Sequence, residues 1–190
     1  MPPRDSFDGW FSDRFGRSDV MAVLEIVKYG NPILRKVAKP VDKVTPELVQ
    51  RTEDLFDTLR HAQGVGLAAN QVNIDLSMAV ISYKETTLRL FNPRIVEKKG
   101  DQHLIEACLS VPGVEGDVHR AEEVTLAYLD EHGVTVERMF HGHLARIVQH
   151  EVDHLNGILI VAHFSTATRT LHRKALERLK AESCGGRKSV

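Results

Sequence analysis

Residues 149–155 read Gln149-His150-Glu151-Val152-Asp153-His154-Leu155, an H-E-x-x-H pattern set among apolar residues. Leu144, Ile147, Val148 and Leu155 recur at helical spacing around it, which predicts a helix over about His143–Leu155, stopped by Asn156-Gly157. Four residues on a helix advance about 400°, so the two imidazoles stand about 40° apart on one face, one turn from each other. Two nitrogens so placed can reach one ion at about 2.0–2.1 Å. Glu151 falls on the apolar row of the same helix, where a carboxylate is costly unless something holds it. A water activated by the ion would hold it, and that partner is what a general base needs.

A catalytic site of this kind needs a third ligand. A thermolysin-like acid some twenty residues on has only Glu177 to offer, in an amphipathic tail among Arg173, Lys174 and Arg178. The longer H-E-x-x-H-x-x-G-x-x-H pattern is met as far as Gly157 and fails because residue 160 is Ile. Cys108, in Glu106-Ala107-Cys108-Leu109-Ser110 ahead of a Pro112-Gly113 turn, is the best remaining candidate. Thiolate plus two imidazoles suits a borderline or soft divalent metal. Ser110 lacks the G-x-S-x-G surroundings of a nucleophilic serine.

The rest of the chain frames this centre. Its 190 residues fit one domain, and 42% hydrophobic with 27% charged residues is ordinary for a globular core. With 25 Lys+Arg against 26 Asp+Glu, bulk electrostatics favours neither nucleic acid nor an anionic membrane. No apolar run approaches the roughly 18 residues of a membrane span, and no apolar core of a secretory signal follows the start. Two cysteines, Cys108 and Cys184, make no disulfide scaffold, and a reducing cytoplasmic setting is the simpler reading; no clear transit peptide points to an organelle. Residues 1–20 read as a flexible extension, 21–182 as the catalytic domain and 183–190 as a disordered tail.

Thr45-Pro46-Glu47 opens a helix expected to run to about Ala62, where Gly64 and Gly66 follow. Met78–Ser82, Thr87–Phe91, Val124–Leu129, Val134–Phe140 and Ile158–Phe164 read as strands, the third and fourth as a hairpin across Asp130–Gly133. Thr166–Glu182 is a C-terminal amphipathic helix with Leu171, Ala175, Leu176 and Leu179 inward. Strands clustered between helices indicate an α+β fold.

Three segments together resemble the peptide deformylase family: Gly64-Val65-Gly66-Leu67-Ala68-Ala69-Asn70-Gln71, Glu106-Ala107-Cys108-Leu109-Ser110, and Gln149 through Leu155. The resemblance covers about residues 21–180. It implies antiparallel sheets packed around a central metal-bearing helix, with a C-terminal helix. It also implies removal of the N-formyl group from the initiator methionine of nascent polypeptides, releasing formate. One divalent ion would be held by Cys108, His150 and His154, with Fe2+ foremost and Zn2+, Ni2+ or Co2+ also compatible. Glu151 would move the proton, while the Gln71 amide and the Leu109 N–H stabilise the oxyanion.

Gly64 and Gly66 would let an extended substrate lie alongside as an added strand, with Val65, Leu104 and Ile147 lining an apolar pocket for methionine. A Glu106–Arg120 ion pair would steady the Cys108 segment, with Gln149 in a supporting role. The partner is the formyl-methionyl chain, with a transient ribosome contact following from it and no sequence-specific nucleic-acid binding. Gly64–Ala69 also satisfies the dinucleotide fingerprint G-x-G-x-x-A, but a helix rather than a strand precedes it, against that reading.

Two positions depart from the family pattern. Ala107 stands where relatives usually have Gly, and His143 where many carry an apolar residue. A peptide-binding relative without catalysis is the competing reading, with Ala107 narrowing the cleft. A structural zinc site would want a fourth protein ligand.

Overall fold

The computed structural model describes residues 22–185. The expected extension at 1–20 and the end of the tail, 186–190, lie outside the described residues. Helix α1, Pro46–His61, starts where the sequence predicts: the Thr45 side chain accepts from the Leu48 N–H, and Pro46 occupies the first turn, where no N–H is missed. Then follow β1, Gly66–Ala68; β2, Met78–Tyr83; β3, Thr86–Lys99; β4, Gln102–Ala107; β5, Glu115–Arg120; β6, Glu123–Leu129; and β7, Thr135–His141. Helix α2 is Gly142–Leu155 and α3 is Thr166–Gly185.

Five strands form one antiparallel sheet in the order β1-β2-β3-β6-β7, and β4 and β5 pair separately as a two-stranded ribbon. The ribbon is decisive for the site, because Cys108 follows β4 directly. Strand β3 runs through Asn92-Pro93 rather than stopping there. Proline has no N–H for the ladder, and the register with β6 slips between Phe91 and Arg94 to accommodate it. Asn92, at φ 51°, turns its amide onto Val41, accepting from the Val41 N–H and donating to its carbonyl at 2.8 and 2.7 Å.

The segment 158–164 is not a strand. It forms a 3-10 turn at Ile160–Ala162 whose Ile160 and Val161 are buried, so the apolar run reflects burial rather than pairing. On α3, Leu179 is buried and Ala175 and Leu176 are partly so, but Leu171 is 79% exposed, contrary to the expected inward row. The helix runs past residue 182, where the Ser183 hydroxyl donates to the carbonyls of Lys28 and Tyr29.

Three apolar clusters meet at the centre. Helix α1 packs Leu55, Phe56 and Leu59 against Leu67, Val80 and Phe91. Helix α2 packs Ala145, Ile147, Val148 and Val152 against Leu88, Leu90, Leu126 and Phe140 of the large sheet. Cys108, Val111, Val114 and Val118 form the third with Leu159, Ile160, Phe164 and Leu179. Leu109 packs on the α1 cluster beside Leu67 and Ala69, and Ala68 and Leu155 share a smaller cluster with Ala38 and Ala79, so apolar packing draws the three motif segments together.

Candidate metal centre and active site

Helix α2 is buried along most of its length. Its first turn has no side-chain cap; the Gly142 N–H instead donates to Glu122. It ends at Leu155, and the chain turns away at Gly157, φ 72°, where a Cβ would lie 2.6 Å from the Arg35 carbonyl oxygen, so glycine is required on two counts. Between these ends His150 and His154 share one face, ring centroids 4.9 Å apart. Cys108 Sγ lies 3.2 Å from His154 Nε2, and ligand atoms of Cys108, His150 and His154 all fall within 4.8 Å of one another.

Glu106, buried at the end of β4, organises the surroundings. It pairs with Arg120 through two bonds of 2.7 and 3.0 Å, and its Oε1 also accepts from Arg146 Nη1 at 2.6 Å. Its Oε2 lies 3.1 Å from His150 Nδ1, which fixes that ring and leaves Nε2 for an ion. Burial pushes the Glu106 carboxyl up, but His150 and Arg120 outweigh it and hold the group well below the usual carboxylate range. Arg120 reaches on to Asp153 at 2.7 Å. Arg146 belongs to none of the three motifs, although an arginine one turn before His150 on a buried helix is a signal for it. Its guanidinium also donates to the carbonyls of Gln102 and Val118, tying the ribbon to α2.

Glu151 is 2% exposed, and its Oε2 has no partner among the described residues. Burial raises its pKa from the ordinary carboxylate range to about 7. Burial also disfavours protonation of His150, yet the adjacent Cys108 and Glu106 overcome it and push that pKa well above imidazole's usual value. His154 goes the opposite way, lowered by burial and by the His150 and Arg120 charges. The donor set fits a divalent ion: one sulfur, two imidazole nitrogens and an orphaned carboxylate oxygen beside them.

Gln71 lies within the short 3-10 turn Ala69–Val72 that follows β1. Its Oε1 accepts from the Ala68 N–H at 2.9 Å, and its Nε2 lies 3.2 Å from Ser110 Oγ and 3.8 Å from Cys108 Sγ. The segment 24–29 clamps this corner: Val27 N–H donates to the Gln71 carbonyl, Tyr29 N–H to that of Ser110, and Lys28 Nζ to that of Leu109. Gln149 holds the back of the helix through paired bonds to the Ala121 N–H and carbonyl.

A cleft of about 870 Å³ opens over the centre. Gly64, Val65, Gly66, Gln71, Leu109 and Ile147 line it, and Leu104 does not. Along β4, Ile105 and Ala107 alternate onto the cleft face and Leu104 onto the opposite one; Glu106 shares Leu104's side but, next to the Cys108 end of the strand, still reaches the lining. Ala107 is not at positive φ, so its methyl meets no backbone strain and simply occupies cleft space. His143 also lines the cleft, its ring 5.0 Å from that of Tyr83.

The glycines have a sharper reason than substrate access. A Cβ at Gly66 would sit 2.8 Å from Glu151 Cδ and nearer still to Oε1, while one at Gly64 would meet Leu59 and Leu109. Gly66→Ala is expected to displace the Glu151 carboxylate, costing about 1–3 kcal/mol of stability and most of the activity while metal content is unchanged. Thermal unfolding and metal analysis on one preparation check this.

The family model described as polypeptide deformylase matches residues 23–170. A peptide deformylase of Carboxydothermus hydrogenoformans is 45% identical over 141 residues, which are 74% of this chain and 93% of that protein. The peptide deformylase structure from Thermus thermophilus matches with a TM-score of 0.81 at 35% identity, covering 85% of this chain and 99% of that one. A Met-Ala-Ser-bound class I type b peptide deformylase structure from Acinetobacter baumannii matches with a TM-score of 0.73 at 37% identity, covering 76% and 100%.

Proposed function

The chain belongs to the polypeptide deformylase family, and from that premise we propose which of its residues carry the reaction. It is a metal-dependent hydrolase that removes the N-formyl group from the initiator methionine of nascent polypeptides, releasing formate. Cys108, His150 and His154 hold the ion, and the single observation carrying this is their convergence within 4.8 Å beside a buried, unpartnered carboxylate oxygen. When bound, the ion supplies a Lewis acid for the formyl carbonyl and acidifies a water at neutral pH.

Glu151 is placed to accept the proton of a water attacking the formyl carbon and to deliver it to the departing amine nitrogen. The Gln71 Nε2 amide and the Leu109 N–H donate to the developing oxyanion; Ser110 Oγ accepts from the Gln71 amide, and Lys28 steadies the loop by donating to the Leu109 carbonyl. Glu106 orients His150 through Nδ1. Methionine takes the apolar part of the cleft at Val65, Ile105 and Ile147. Fe2+ is the ion we assign in the cell, where the thiolate ligand makes the centre prone to oxidation. We place the reaction in the cytoplasm, beside the ribosome that supplies the substrate.

The test is anaerobic formate release from formyl-Met-Ala-Ser. Chelation should abolish turnover, and Fe2+ or Ni2+ should restore it in proportion to the metal regained. A fully metallated protein that binds the peptide without releasing formate would favour the peptide-binding reading instead.

A further inference from the structure

The other side of the β4–β5 ribbon from Glu106 carries a second group of ligand atoms that the reaction does not use. Register places His103 opposite His119, and the period of two puts Asp117 on the same face. Asp101 joins them from the turn after Gly100, whose φ of 67° lets the chain reverse there. Asp101 Oδ2 lies 3.5 Å from His103 Nε2 and 3.6 Å from His119 Nδ1, and the two rings have centroids 3.3 Å apart. Ligand atoms of Asp101, His103 and His119 all fall within 4.8 Å of one another. Ligands held at 2.0–2.2 Å around a tetrahedral ion are separated by about 3.3–3.6 Å, which matches the distance from Asp101 Oδ2 to each of the two imidazole nitrogens.

We propose that Asp101, His103 and His119 form a second, exposed site for a borderline divalent transition-metal ion, with water completing its shell. Asp117 is the positioning residue: its Oδ2 lies 3.1 Å from His103 Nδ1, which turns Nε2 toward Asp101. The same device operates at the buried centre, where Glu106 holds His150 by Nδ1. His103 lies five residues before Cys108 along an extended strand, roughly 17 Å away, so the two sites are separate. Two imidazoles with one carboxylate select nickel, zinc or cobalt over magnesium or calcium, whose shells are built from oxygen. All four side chains are about half exposed, so this ion exchanges freely and binds more weakly than the buried one. The inference stands apart from the deformylase reading, since it uses none of the residues assigned to that reaction.

The test uses the full chain without a histidine tag, equilibrium dialysis against rising free Ni2+, and elemental analysis of the bound metal. Two equivalents are expected, one tight and one weak. His103→Gln combined with His119→Gln should remove the weak equivalent and leave both the tight one and formate release intact. Asp117→Asn should weaken it about tenfold or more. Should the double variant fail to fold, Asp101→Asn in the turn must show the same selective loss. A wild-type curve that ends at one equivalent, or a second equivalent that survives these substitutions, would overturn the site.

Discussion

Glu151→Gln is expected to lower kcat by about a thousandfold while the protein still binds one equivalent of metal at the buried centre. The amide preserves the shape of the side chain beside Gly66, where no larger residue fits, but it cannot accept and return a proton. The same substitution should stabilise the metal-free protein, and the sign follows from the burial of Glu151. Its native pKa is raised to about 7, so the native state disfavours the ionised form that the unfolded chain adopts freely. Stability associated with this group is fully present below the ordinary carboxylate range. It is lost as pH rises through about 7, where the cost reaches about 3 kcal/mol. Glutamine carries no such charge. Denaturant titrations of the metal-free proteins should therefore nearly coincide at pH 4.5 and separate by about that amount at pH 8. Loading the ion should narrow the gap, because its charge offsets the carboxylate. Equal stabilities at pH 8 without metal would show that Glu151 is not held against ionisation. Unchanged turnover would remove it from the reaction.

Most of the centre was legible because its parts obey local rules. The five residues from His150 to His154 need only helical geometry to share a face, and Thr45-Pro46 announces α1 by capping chemistry. The β4–β5 ribbon was not legible as strands. A strand is normally recognised by apolar residues on one face, but here the inward face carries Gln102, Glu106 and Arg120. Charges that pair inside the protein look like a solvated loop in the sequence. The misplacement of Leu104 follows directly, since without a strand there is no alternation to say that Ile105 faces the cleft. In sequence Gly66 reads as room for substrate, whereas the close approach of Glu151 requires its lack of a side chain, which only packing reveals. The apolar run 158–164 misled in the other direction, because burial alone does not distinguish a strand from a turn.

Glu106→Gln should have the largest effect on stability of any single substitution outside the apolar core. The wild-type carboxylate accepts from two arginines and from His150, all largely withdrawn from water. Replacing it leaves the Arg120 and Arg146 charges facing a neutral amide, with only Asp153 left to Arg120. Breaking a buried pair from one side typically costs about 3–5 kcal/mol, a large share of a domain's total stability. For a chain of this size the midpoint of thermal unfolding should fall by on the order of 10 °C. Metal affinity should fall about 10- to 100-fold as well, because His150 loses the acceptor that fixes its ring. The acid limb of stability distinguishes this from simple loosening. Glu106 is held below the usual carboxylate range, so its contribution is present above that range and is lost as pH falls through its native pKa. Wild type should therefore shed stability on acidification more steeply than Glu106→Gln, and the two curves should converge at low pH. Parallel curves would mean that the carboxylate is not the anchor of this network, and that Arg146 and Arg120 are held chiefly by backbone carbonyls and Asp153 instead.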